Sequence, residues 1–241
     1  MWIAVIVLLV VALVAVLATV FGLVWFFKRA ERINRALRKI PITRVAMAQP
    51  GSMARVIGKL RPAAGPLLRA PLSGKPCGYF QAVAEEWRQS GNSEGWVQLA
   101  YEEQWCDFCL DDGTGQVLVR MLNPQISADL EEASFSDPIL PPNASQEGFL
   151  RRHQAWNPAE GKPVRRLRYL ESLFELDEQI TAYGIVRLER TGEGFGSVRV
   201  VLEAPPGQQL LVSDDKHITR SPSPGSTTTQ MSMSMSMSSI R

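Results

Sequence analysis

Met1 to Phe27 reads as one unbroken apolar run, MWIAVIVLLVVALVAVLATVFGLVWFF, without a charged side chain. At about 1.5 Å per residue such a run can exceed a hydrocarbon core of roughly 30 Å. A helix satisfies its own backbone in lipid, so the pattern predicts a transmembrane anchor over residues 1–27. Trp2 at one end and Trp25, Phe26 and Phe27 at the other suit the two membrane interfaces. A cleaved signal peptide would show a basic start, a shorter apolar core and a small-residue cleavage site. Here no basic side chain precedes the run, and the run ends in aromatics.

The pattern then changes twice. Over residues 28–40, Ile33, Leu37 and Ile40 recur at helical spacing, with Ala30 and Ala36 beside them. This predicts a basic amphipathic juxtamembrane helix in which Glu31 pairs with Arg35 and which Pro41 stops. Lys28, Arg29, Arg32, Arg35, Arg38 and Lys39 are candidate contacts to a membrane surface. Two readings stay open, a stripe held on anionic lipid and an ordinary topology determinant. By the positive-inside rule this flank is cytoplasmic, which makes the chain a single-pass protein of the cell (inner) membrane with its N-terminus outside.

From residue 49 to 215 the spacing shortens to two, with Gly, Pro and Asn between short runs, which predicts a mainly β domain. Met53–Leu60 is a first strand, and Pro62, Pro66, Pro71 and Pro76 punctuate the connection after it. Cys77–Trp87 and Trp96–Trp105 form two longer strands around a polar loop, Arg88–Gly95. In the second, Val97, Leu99, Tyr101 and Trp105 are expected on a buried face, with Gln98, Glu102 and Gln104 outside. Phe108–Val119 reads as a hairpin, because Asp-Asp-Gly-Thr-Gly between apolar runs supplies a tight turn. Asn123–Pro163 reads as a long irregular insertion holding one short helix at Gln146–His153. Ile180, Ala182, Gly184, Val186 and Leu188 line one face of a closing β unit, Thr191–Gly196 turns, Val198, Val200 and Leu202 return, and Gln209–Ser213 adds a last strand. Glycines inside two strands, Gly58 and Gly184, mark sharp bends and point to an OB-like partly open barrel. Residues 216–241, ending in alternating Met and Ser, are expected to be a disordered tail.

Composition narrows the function. The chain has 241 residues and a formal net charge of +2, which gives no reason to expect nucleic acid. Cys77, Cys106 and Cys109 make no disulfide framework. Cys106 and Cys109 form a lone C-x-x-C, where a structural zinc needs four ligands. Gly91-Asn-Ser-Glu-Gly95 matches a nucleophile-elbow pattern but leads into a strand, not the helix that chemistry needs. Gly192-Glu-Gly-Phe-Gly196 precedes a strand and reads as a turn, not a dinucleotide fingerprint. The adjacent carboxylates Glu85-Glu86, Glu102-Glu103, Asp111-Asp112 and Glu131-Glu132 point to opposite sides of a strand and read as solvated. No catalytic constellation, cofactor site or metal site is expected.

Leu68-Arg-Ala-Pro-Leu-Ser-Gly-Lys-Pro-Cys-Gly-Tyr79, followed by Glu85-Glu86, resembles the opening segment of the GIDE domain, also called the beside-a-membrane (BAM) domain. Phe108–Val119 resembles that domain's Asp-Asp-Gly-Thr-Gly hairpin. Phe149–His153 and Arg168-Tyr-Leu-Glu171 are similar to its later helix and Tyr-x-Glu segment, and Gln179–Val186 and Leu210–Asp214 to its closing strands. The resemblance covers most of residues 50–215. It implies structural roles for Pro71, Leu72, Ser73, Gly74, Pro76, Asp111, Asp112, Gly113, Thr114, Gly115, Tyr169, Glu171 and Gly184. Relatives of this kind include mitochondrial E3 ubiquitin ligases, in which a C-terminal RING finger carries the activity. This sequence shows no second span and no RING cysteines after Ser213, a layout similar to prokaryotic members. The expected function is a membrane-anchored, non-catalytic protein-interaction module whose partners are the lipid bilayer and an unidentified protein. The alternative that the resemblance implies is an E3 ubiquitin-protein ligase-like protein.

Overall fold

The computed structural model describes residues 30–91, 93–137, 139–155, 166–190 and 198–220. The predicted anchor, Lys28, Arg29, the turn at Thr191–Gly196 and the Met–Ser tail lie outside them. Among the described residues, no helix is long and apolar enough to cross a membrane.

The protein is mainly β, with barrel-like sheets. Five strands close on themselves: β1 (Met53–Pro62), β5 (Phe108–Asp111), β6 (Gln116–Val119), β11 (Val198–Glu203) and β10 (Gln179–Arg190), which returns to β1. All neighbours in this ring are antiparallel except β6 and β11, which are parallel. β1 serves two partners, β10 through Lys59 and β5 from Lys59 onward. Such a change of partner needs a corner, and Gly58 sits there: a Cβ on it would lie 2.8 Å from the Asp111 backbone. Gly184 plays the same part in β10, where a Cβ would lie 2.3 Å from the Glu203 carbonyl oxygen. Leu60, Phe108, Leu110, Val119, Ile180 and Leu202 fill the ring. Of the predicted β10 face, Ile180, Ala182 and Val186 are buried, whereas Leu188 is exposed. Beyond the ring, β12 (Leu210–Ser213) pairs with β10, and β7 (Pro124–Ser127) with β12.

The second sheet is open. Its order is β2 (Leu68–Arg69), β3 (Pro76–Ser90), β9 (Leu167–Glu175) and β8 (Glu132–Ser136), with β4 (Ser93–Trp105) pairing β3. Two expectations fail here. Arg88–Gly95 is not a loop, because the β3–β4 ladder continues to Ser90 and Ser93. The predicted buried face of β4 is mostly outside: Val97, Tyr101 and Trp105 are exposed and Ala100 is buried. Tyr101 stands opposite Val83 on the outer face of the sheet, and a bulge splits the expected set: Ala84 pairs with Ala100 but Glu85 with Gln98, so Leu99 is extra and Val97 falls opposite Glu86 on the other face. The stretch Asn123–Pro163 supplies two strands that its pattern does not announce, β7 and β8, beside the expected short helix, α2 (Ala144–Arg152). Asn143 and Gln146 form a capping box that starts α2, and its Phe149 and Leu150 bury against Phe80, Ala82 and Tyr169 on the inner face of this sheet.

Residues 30–38 are helical (α1). The stripe Ile33 and Leu37 is buried against Ile218, Tyr183 and Leu211 of the body rather than turned to lipid. Ile218 and Thr219 are buried too, so the packed body runs past Asp215.

Candidate interaction face and its supports

The positions that carry the resemblance form two knots of hydrogen bonds. In the first, the carboxylate of Glu171, 1% exposed, accepts from the backbone amides of Leu72 (2.9 Å) and Ser73 (3.0 Å). That bond holds the turn after β2, where Pro71 precedes Leu72 and Gly74 takes a positive φ of 73°. Pro76, just after the turn, opens β3. Tyr169, two residues from Glu171, shares a hydrogen bond of 3.2 Å with Ser136 of β8. Two segments about a hundred residues apart in sequence are thus one structural unit.

In the second knot, Asp112 accepts from the amides of Thr114 (2.8 Å), Gly115 (3.1 Å) and Val45 (2.8 Å), and from the Thr114 hydroxyl (2.7 Å). Burial pushes its carboxyl up, but these donors outweigh it and hold the pKa below the usual carboxylate range. Asp111, held low by the Gly113 amide and Gln116, closes the same turn, with Gly113 at a φ of 80°. Through Val45 the hairpin fixes a short 3-10 turn, Val45–Met47, over one end of the ring. These residues act as supports, and Asp111, Asp112 and Gly113 also line an open cleft of about 310 Å³ beside Lys59 and Arg61.

Arg55, 5% exposed, fastens α1 to the ring. Its guanidinium donates to the carbonyls of Leu37 (2.6 Å), Ile40 (3.0 Å) and Ile218 (2.5 Å), and to the Thr181 hydroxyl (3.2 Å). A cation at the C-terminal end of a helix meets carbonyls that lack intrahelical partners. Asn34 adds a bond of 2.8 Å to Asp215. Arg32, Arg35, Arg38 and Lys39 are exposed, with Arg38 at 3.7 Å from Asp215 and Arg35 at 4.0 Å from Glu31.

Sequence reasoning missed one cluster. Glu131, Glu178 and Asp214 bring carboxylate oxygens within 4.8 Å of one another from three distant segments. Burial pushes Asp214 up to about 8 and Glu178 up to about 7. Asp214 accepts from the Asp129 amide, and Glu178 from the Glu175 amide. Among the described residues this is the group spaced to hold a metal ion. The three cysteines are free, and burial pushes Cys77 up to about 12 and raises Cys106 and Cys109, so the thiol form dominates in all three.

Among the described residues, the far end of the open sheet's outer face has no structural occupant. Residues directly opposite in a ladder share a face. By that rule Trp87, Trp96, Glu85, Arg168 and Phe135 stand together at the far end of β3, β4, β9 and β8. Trp96 is the centre: Trp87 lies at 5.3 Å edge-on, Phe135 at 6.3 Å, and the Arg168 guanidinium at 4.5 Å over its ring. Arg168 also pairs with Glu85, which fixes its plane against the indole. Phe135 is 52% exposed, and Val83 and Leu170 continue the face toward Tyr101. No known protein family, curated protein or solved structure matches the chain.

Proposed function

We propose that the chain is a membrane-anchored, non-catalytic protein-interaction module, held by residues 1–27 in the cell (inner) membrane with its body on the cytoplasmic side. One observation carries the docking role: an open sheet whose outer face gathers Trp87, Trp96 and Phe135 around a stacked arginine. Rigid aromatics and arginine are the side chains that most often anchor protein interfaces. The ring is the scaffold. Numbered within itself it runs first, second, third, fifth, fourth and back to the first, which supports the OB-like assignment. The two knots at Asp112 and Glu171 lie on the segments that resemble the GIDE domain, and they support a GIDE-type member whose motif residues act in folding. Arg55 would pass the orientation of the anchor to the body through α1.

The test is photo-crosslinking in native membranes from a reactive residue at Phe135, with Leu188 on the ring as control, since both are exposed. A protein adduct from Phe135 that Trp96→Ala abolishes, and none from Leu188, is the expected result. Equal adducts from both positions, or adducts indifferent to Trp96, would overturn the docking role.

A further inference from the structure

Where the outer face meets the barrel-side strands, β4 presents Tyr101, Glu103 and Trp105 in alternation. Residues two apart on a strand are spaced by roughly 7 Å and point the same way, so the Glu103 side chain leaves the strand between those of Tyr101 and Trp105. Tyr101 and Trp105 are 42% and 44% exposed. Together with Tyr79 they line a cavity of about 180 Å³, whose other wall is Ile126 of β7 and Ala30 of α1.

The carboxylate is held, not free to turn away. The buried Tyr79 hydroxyl donates to one oxygen of Glu103 at 3.0 Å, and the Tyr101 hydroxyl to the other at 2.6 Å. No described lysine, arginine or histidine pairs with Glu103, unlike Glu102 beside it, which meets Arg152 and His153. A fixed anion beside exposed aromatic side chains, in a cavity whose wall mixes Ile126 and Pro124 with Gln81 and Ser127, is complementary to an organic cation whose charge is spread over carbon. A small inorganic cation would gain nothing from the rings or from Ile126.

We infer that this cavity is a binding site for an alkylammonium group, seated over Glu103 between Tyr101 and Trp105. Ala30 lines it and directly follows the basic exit of the apolar run, so two sources offer the same chemistry: a lipid headgroup and a free amine. The site is separate from the Trp96 cluster, and either can fail without the other.

Choline titrated calorimetrically into the full chain in maltoside detergent tests the inference, with sodium chloride as the ionic control. Saturable binding is expected, weakened about fivefold or more by Trp105→Leu and by Glu103→Gln. Trp105→Leu leaves both tyrosine bonds in place, so it answers even if Glu103→Gln disturbs folding. Repeating the titration in phosphatidylglycerol nanodiscs with and without phosphatidylcholine separates the sources. Competition by phosphatidylcholine assigns the lipid, and unchanged choline affinity assigns the free amine. Heat equal to that of sodium chloride, or affinity indifferent to Trp105→Leu, overturns the site.

Discussion

The ring and the open sheet solve the same problem in opposite ways. A strand's unpaired edge and uncovered face invite other chains, and closing a sheet removes the edge altogether. The ring is closed, and it fills its interior with side chains such as Phe108, Leu110 and Ile180 at 0% exposure. Among the described residues the second sheet covers one face with α2 and the Tyr79–Phe174 end of the other against the ring, and it leaves Trp96, Phe135 and Tyr101 outside that cover. Among the described residues no strand pairs with the outer edge of β4. The contrast sets up a division that variants can test: a closed, filled ring against a sheet that leaves surface uncovered.

The sharpest way to break that division is Gly184→Val. A side chain there runs into the Glu203 carbonyl at 2.3 Å and Leu210 at 2.8 Å. The expected loss is about 3 kcal/mol or more, because the obstacle is backbone. Chemical denaturation should show it, and Trp96→Ala in the open sheet should cost less than about 1 kcal/mol in the same assay. Equal losses would end the distinction.

Arg55→Met tests the seam between helix and ring. It leaves the carbonyls of Leu37, Ile40 and Ile218 without their charged donor, at a cost of about 3 kcal/mol. Amide exchange over residues 33–38 should speed up while β5 and β6 stay protected. Protection of α1 unchanged in the variant would show that Ile33 and Leu37 hold the helix alone.

The smallest effect concerns the acidic trio. The fold raises Asp214 from 3.8 to about 8 and Glu178 from 4.5 to about 7. Between those limits the folded chain keeps protons that the unfolded chain releases, so stability falls as pH rises through the window. Asp214→Asn should flatten the decline, raising the melting temperature at pH 8 relative to pH 5 by about 3 °C or more for a domain of this size. A slope that matches the parent protein's would place the titration elsewhere.

Much of the ring was legible in the sequence because its signals are local. The Asp-Gly-Thr-Gly turn, the glycine bends and the alternation from Ile180 to Val186 each fit within one strand or hairpin. The open sheet was less legible. β9 alternates Leu167, Tyr169, Glu171 and Leu173 inward, but an inward glutamate breaks the apolar pattern. Its partners are backbone amides of Leu72 and Ser73, which no side-chain pattern announces. β7 begins at Pro124 and spans four residues, too short to stand out against neighbouring prolines. The trio Glu131, Glu178 and Asp214 has no local signature at all, since only the fold brings its members together.

The surplus residue Leu99 has a wider consequence. It places Trp96, an even-numbered position, on the same side as the odd-numbered Tyr101 and Trp105. Removing that one residue would reverse the parity of half the strand, turning one ring set inward while leaving every side chain's chemistry intact. Insertion or loss of a single codon at this point is therefore a route by which such a protein could exchange the side chains it presents without altering the barrel beneath.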